Sequence, residues 1–154
     1  MITTQAYPTI RAIQRDAWND CFPGALEDWD YYLAVENAAI DDFQWRYLAV
    51  FENQTLVAVA AAFVTHYRLD TTLSGAGKRL TERLERLWPG VLQLALYAIG
   101  SPVAERCDAG VASHVSESRR ALLLQQLLAA ARSDADALGI GLLAVKDAPT
   151  NDPH

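Results

Sequence analysis

A change of hydrophobic period near the middle of the chain constrains the fold more than any other feature. In Trp45–Phe51 the residues Trp45, Tyr47, Ala49 and Phe51 alternate with Arg46, Leu48 and Val50. The segment is also rich in β-forming residues, which is the pattern of a strand. The polar turn Glu52–Gln54 follows. Leu56–Tyr67 is then almost continuously apolar at its start, as in a strand that is buried on both faces. Together the two segments predict an antiparallel hairpin.

Helical periodicity flanks this hairpin on both sides. We predict helices from Thr9, over about Ala25–Ala39, over Gly77–Leu87, and from Ser116 or Ser118 to about Leu138. Val91–Ile99 and Leu142–Val145 are predicted to be strands on either side of the last helix. The segment that joins them contains this helix and is long enough for a right-handed parallel crossover. The predicted class is α/β with a mixed sheet, in the order α-α-β-β-α-β-α-β. One domain is expected over residues 1–148, with a flexible tail over 149–154.

Charge and composition exclude several classes of function. The chain has 154 residues and a net charge of −6, so it lacks the basic surface expected for nucleic-acid or anionic-membrane binding. Its two cysteines lie in no metal-ligand pattern, so no metal site is predicted and a reduced, cytoplasmic location is expected. No signal peptide is readable at the N-terminus.

Three local patterns are candidates for chemistry. Ser116–Arg120 opens the longest predicted helix, where free N–H groups and two arginines favour an anion; the alternative is a serine cap beside solvated arginines. Glu27–Tyr32 gathers carboxylates that suit a general base or a cationic ligand, or else acids that favour the helix dipole. Asp147 follows the final strand, at an end where α/β sheets place ligands.

Three stretches resemble the GNAT-type N-acyltransferase superfamily, in particular its FemAB-like members and related bacterial acyltransferase-like proteins. They are residues 22–36 (FPGALEDWDYYLAVE), 100–107 (GSPVAERC) and 119–147, with the strand LLAVKDAP. The family's Gln/Arg-x-x-Gly-x-Gly/Ala loop cradles a pyrophosphate, and the matching residues Ser118–Leu123 have none of its glycines. Relatives usually continue past the last strand with closing elements, so that strand is expected to be an open sheet edge.

The resemblance implies transfer of an acyl group from acyl-CoA or a carrier to an amine, with acyl-CoA as co-substrate and no permanently bound cofactor. The expected roles are catalysis by Asp147, Glu27 and Asp30, donor binding by Ser116, Ser118, Arg119 and Arg120, and substrate binding by Tyr31, Gly100, Ser101, Glu105 and Arg106. The alternative is a non-catalytic binding or assembly module that keeps the fold. A homodimer or a partner chain is expected at the exposed edge of the last strand, Leu142–Val145.

Overall fold

The structure, a computed structural model, describes residues 1–40, 42–68, 93–104 and 109–146. The helices in these ranges are α1 (Arg15–Cys21), α2 (Trp29–Asn37) and α3 (Glu117–Ala137), with a short 3-10 helix at Ile10–Ala12. The strands are β1 (Ile2–Tyr7), β2 (Phe43–Glu52), β3 (Thr55–Arg68), β4 (Gln93–Ile99), β5 (Ala109–Val111) and β6 (Leu142–Val145).

The strands form one mixed sheet in the order β1-β2-β3-β4-β6, with β5 paired to β3. All pairs are antiparallel except β4 and β6, which are parallel, from Leu96 opposite Leu142 to Ile99 opposite Val145. The sheet therefore confirms both the predicted hairpin, which is β2 and β3, and the predicted parallel crossover through α3.

The sheet has a separate core on each face. On one face α3 buries Leu123, Leu127 and Ala131 against the strands. On the other, α1 and α2 cover an aromatic cluster in which the ring centroids of Trp18 and Tyr32 are 5.4 Å apart, edge-on. The long apolar strand β3 is buried on both faces because it contributes to both cores.

A mostly buried ion pair fixes α3 to the sheet. Arg46 of β2 donates from Nε to Oδ2 of Asp134 at 2.7 Å and from a second guanidinium nitrogen to Oδ1. The Tyr97 hydroxyl of β4 donates to the same carboxylate at 2.9 Å. Exposed fractions of only 18% for Arg46 and 12% for Asp134 make this contact a specific anchor between helix and sheet.

The first predicted helix begins later than expected. Thr9 caps only the short 3-10 helix, by accepting from the Arg11 N–H at 3.3 Å, and α1 starts at Arg15. The indole Nε1 of Trp29 donates to the carbonyl oxygens of Ile10 (3.1 Å) and Ile13 (2.9 Å). An uninterrupted α-helix would direct these carbonyls to its own N–H groups, so the contact with Trp29 favours the break.

Two strands were not predicted from the sequence. β1 is mostly polar and lies at the sheet edge, so its sequence carries no buried-strand pattern. β5 has only three residues, too few for a periodicity. The predicted helix at Gly77–Leu87 and the tail over residues 149–154 lie outside the described residues.

Candidate functional site

The sheet opens where β4 ends. β3 pairs with β4 through Ala62–Arg68 and then with β5 through Ala58–Ala60, so β5 continues the line of β4 along β3. The pairing of β6 with β4 ends at Val145. The Lys146 N–H then donates a hydrogen bond to the Ile99 oxygen at 2.9 Å. Among the described residues no strand pairs with the other edge of β5.

That open edge presents backbone groups of β5. The Ala112 N–H donates to the Val57 oxygen at 3.0 Å, which places the groups of Gly110 and Ala112 on the β3 side. Because neighbouring residues of a strand direct their N–H groups to opposite edges, the N–H groups of Ala109 and Val111 face the open side. We call this side the open edge.

A groove of about 380 Å³ follows the open edge. Its walls come from opposite faces of the sheet, with the α1–α2 loop on one side and α3 on the other. The lining residues are Cys21, Phe22, Pro23, Gly24, Ala25, Ala109, Val111 and Arg120. This groove, called the edge groove below, therefore contains both residues whose N–H groups point outward from β5.

Close packing holds the α1–α2 loop against β5. A Cβ on Gly110 would lie 2.8 Å from the Cys21 oxygen and 2.8 Å from two ring atoms of Phe22, so only glycine fits there. Burial, with a smaller contribution from Asp20, raises the pKa of the Cys21 thiol to about 12. The thiol is therefore neutral at physiological pH and is not an activated nucleophile.

The edge groove leads to the N-terminus of α3. Ser116 is the N-cap residue, but its side chain makes no capping bond; its Oγ lies 3.1 Å from the Ser118 Oγ instead. The Arg119 N–H donates to the Ser116 oxygen at 2.9 Å. The first N–H groups of a helix have no i−4 acceptor, so the N–H groups of Glu117 and Ser118 and the two serine hydroxyls are the donors that this turn offers to an external anion. The matched segment Ser118–Leu123 lies inside α3, and residues 112–116 connect β5 to this helix.

The two arginines of this turn have different partners. Arg119 forms a two-pronged ion pair with Glu52, both N–O distances being 3.0 Å, and so fixes α3 to the β2–β3 turn. Arg120 is exposed and lines the edge groove. The predicted donor-binding role therefore suits Arg120, whereas the Arg119 charge is already matched by a carboxylate.

Gly100 and Ser101 lie where β4 leaves the sheet, beside the open edge. The Gly100 N–H donates to the Ala61 oxygen at 2.8 Å, and its φ of +122° is a conformation that suits glycine. Ser101 is almost fully buried and its Oγ accepts from the Val103 N–H at 3.3 Å. Lys146 Nζ donates to the Ala104 oxygen at 2.9 Å and ties this bend to the end of β6.

The predicted acidic residues before and within α2 do not line the edge groove. Asp30 is bonded by Arg15, at 2.9 Å from Nε, and this contact lowers the pKa of the Asp30 carboxyl. Tyr31 packs edge-on against Tyr32 with ring centroids 5.2 Å apart. Glu27 is half-buried and lies two residues after Ala25, the last groove-lining residue of the loop. Of these residues Glu27 is nearest in sequence to the groove.

Three predicted site residues, Asp147, Glu105 and Arg106, lie outside the described residues. Within the described ranges, no group of three or more His, Cys, Asp or Glu side chains is arranged to hold a metal ion. The helices in the same ranges include none that is long and apolar enough to cross a membrane.

The sequence did not identify the open edge. Val111 and Gly110 belong to a strand too short to predict, and only the pairing of β3 with two successive strands reveals which N–H groups are free. The Phe22-Pro23-Gly24 break was visible as a helix end, and the structure adds that it covers the edge groove.

No model of a known protein family matches the sequence, and no curated protein matches it. Solved structures do match. One is the ribosomal-protein-alanine N-acetyltransferase from Brucella melitensis biovar Abortus 2308, at 13% identity and a TM-score of 0.50, covering 97% of this chain and 82% of that one. Another is a GNAT family acetyltransferase from Staphylococcus aureus subsp. aureus USA300_TCH1516, at 9% identity and 0.50, covering 99% and 91%.

A third match is AAC(6')-Iy in complex with the bisubstrate analogue CoA-S-monomethyl-acetylneamine, at 13% identity and a TM-score of 0.50, covering 98% of this chain and 82% of that one. These structural matches extend over nearly the whole chain, and at identities this low they show a likeness of fold alone. The FemAB-like part of the resemblance stays a prediction. The chain has the fold of the GNAT-type N-acetyltransferases.

Proposed function

We propose that this chain is an acyl-CoA-dependent N-acyltransferase whose donor binds in the edge groove. The observation that carries the proposal is the outward N–H of Val111, on a strand edge that opens into a groove ending at the start of α3. The pantetheine arm of an acyl-CoA is an extended chain with amide groups, with the thioester at one end and the pyrophosphate that joins it to adenosine at the other. The groove offers a matching series of donors.

Each part of the donor has a complementary group. Amides of the extended arm can pair with the open edge of β5 as an added strand would. The N–H groups at the start of α3 suit the pyrophosphate, because backbone donors and the positive end of the helix dipole both favour anions there. Arg120 adds a positive charge within the groove.

The chemistry is nucleophilic attack by a neutral amine on the thioester carbonyl. The C–N bond forms and the C–S bond breaks; the amine proton passes to a carboxylate or water and from there to the departing CoA thiolate, which leaves as the thiol. A backbone donor such as the Val111 N–H stabilises the oxyanion that develops on the carbonyl oxygen. The proposed transfer is direct, and the buried Cys21 thiol, whose pKa is raised by burial, is not expected to form an acyl-enzyme.

The acceptor class is a primary amine. The structural relatives named above include an enzyme bound to an acetylneamine analogue and one named for a ribosomal-protein alanine, and both names imply amine acceptors. A net charge of −6 attracts cationic molecules and repels anionic ones. Electrostatics therefore favour an acceptor that is an ammonium ion in solution and loses its proton at the site.

Calorimetric titration with acetyl-CoA tests the donor site. We expect saturable binding that weakens at least about tenfold in Arg120→Ala, since a charge-assisted contact is worth about 1.5–3 kcal/mol and every 1.4 kcal/mol is tenfold in affinity. The matched control is Arg132→Ala, which removes the same side chain from the exposed end of the same helix. Equal affinity in both variants, or no binding by the wild-type chain, would rule out this donor site.

A further inference from the structure

A second, larger cavity of about 670 Å³ lies on the other side of α1. It is enclosed by β1, the α1 flank, the β2–β3 turn and the loop before α3. Its lining includes Tyr7, Gln14, Asp20, Phe51, Gln54 and His114, and it shares no lining residue with the edge groove. We call it the hairpin cavity.

The charge of the hairpin cavity is set by Asp20. Of the lining residues that the structure describes, none is a lysine or arginine and His114 alone is basic, with its Nδ1 3.8 Å from Asp20 Oδ2. Asp20 accepts from the Ser113 hydroxyl at 2.7 Å and from the Ser113 N–H at 3.3 Å. A carboxylate has about four acceptor positions, and an exposed fraction of 44% leaves this one accessible from the cavity.

The rest of the lining suits the body of a cationic ligand. Tyr7 and Phe51 are half-buried, so their rings supply apolar surface, and an aromatic face attracts a cation near it. Gln14 and Gln54 are exposed at the cavity and carry amide oxygens that accept from an ammonium group. Carboxylate, rings and amides together favour a cation and disfavour an anion.

The β2–β3 turn adds an independent observation. Asn53 and Gln54 both have positive φ, 49° and 70°, in the tight turn between the two strands. Such turns strongly favour glycine at the second position, and Gln54 occupies it despite the steric cost that any Cβ has there. Strain of this kind concentrates at functional positions, and the glutamine brings a polar side chain to the cavity.

We propose that the hairpin cavity binds a small organic cation, a primary ammonium group on an aromatic or alkyl body, with Asp20 as its anionic anchor. The ammonium group bonds the free positions of the Asp20 carboxylate, and its apolar body packs against Tyr7 and Phe51. The proposal does not rest on the acyl-CoA groove, because the two sites have separate linings.

The test is a calorimetric titration of the full chain at low ionic strength with 2-phenylethylamine, and with neutral 2-phenylethanol as the matched ligand. We expect saturable binding of the amine, at least about tenfold tighter than the alcohol. Asp20→Asn is expected to remove that preference while keeping an acceptor for Ser113. Asp16→Asn is the matched control, on the same helix but outside the cavity.

The variant Gln54→Gly distinguishes a role of the Gln54 side chain in amine binding from a role in the stability of the turn. We expect this variant to melt about 2–4 °C higher, because it relieves the positive-φ strain, and to bind the amine more weakly. Amine binding no tighter than alcohol binding, or equal amine affinity in Asp20→Asn and Asp16→Asn, would overturn the proposal. So would undiminished affinity in a stabilised Gln54→Gly variant.

Discussion

Replacing Asp134 with asparagine tests how α3 is held against the sheet. The substitution keeps the side-chain shape but removes the negative charge that faces Arg46, and it turns an amide N–H toward guanidinium donors. Because both side chains are less than a fifth exposed, the guanidinium is left unpaired with little access to water. The Tyr97 hydroxyl, which donates to the same carboxylate, loses a charged acceptor.

The expected loss is about 3 kcal/mol in the free energy of unfolding, the low end of the range for breaking a buried pair. For a chain of this size that corresponds to a drop of roughly 6–12 °C in Tm. Urea unfolding at 25 °C measures the free energy directly. The matched control is Asp136→Asn, which breaks the exposed pair of Asp136 with Arg132 on the same helix and costs about 0.5 kcal/mol at most.

The double variant Arg46→Met, Asp134→Leu distinguishes the cost of leaving a buried charge unpaired from the cost of losing the contact itself. Removing both charged groups leaves no uncompensated ion, so part of the lost stability returns, while the buried Tyr97 hydroxyl still lacks its acceptor. If Asp134→Asn costs no more than Asp136→Asn, the pair is not an anchor and the reasoning from burial is wrong.

Two further predictions concern close packing and buried titratable groups in the cores on the two faces of the sheet. Gly110→Ala places a Cβ 2.8 Å from the Cys21 oxygen and lowers the free energy of unfolding by about 1–3 kcal/mol, whereas Gly141→Ala, with nothing within 4 Å, stays near the wild-type value in urea unfolding; equal values contradict the close packing. Burial raises the pKa of Tyr47 and Tyr97 as well as that of Cys21. The folded chain therefore retains protons that the unfolded chain releases, and stability falls as pH rises above the ordinary thiol value of 9.0, by about 1.4 kcal/mol per pH unit for each such group. Tyr47→Phe is expected to make the fall above pH 10 shallower by that amount, and an unchanged slope contradicts the burial argument.

The sequence predicts the elements whose pattern is long. β3 is identified by its long apolar run, which is buried between the two cores, and α3 is identified by its repeated leucine spacing, which packs against one face of the sheet. Gly139 ends the last helix as expected, with a φ of +72° one residue after the C-cap Leu138. These features are local, so the residues themselves contain the information.

The candidate site was only partly predictable because it depends on pairings between distant segments. The turn at Ser116–Arg120 was found from generic helix-terminus chemistry, but only the fold shows that Arg119 is matched by Glu52 whereas Arg120 lines the edge groove. The open edge exists because β5 follows β4 along β3 while β6 stops at Val145. No short motif encodes that arrangement.

The most direct test of the central claim removes one N–H group from the open edge. Val111→Pro deletes the outward N–H that the donor is proposed to use, and an edge position tolerates proline because no strand hydrogen bond is lost. Val111→Ala is the matched control, since it shortens the side chain and keeps the N–H. Acetyl-CoA affinity is measured by calorimetry in both, with thermal melts to confirm folding. The account predicts binding at least about tenfold weaker in Val111→Pro than in Val111→Ala, and equal affinity in two folded variants would contradict it.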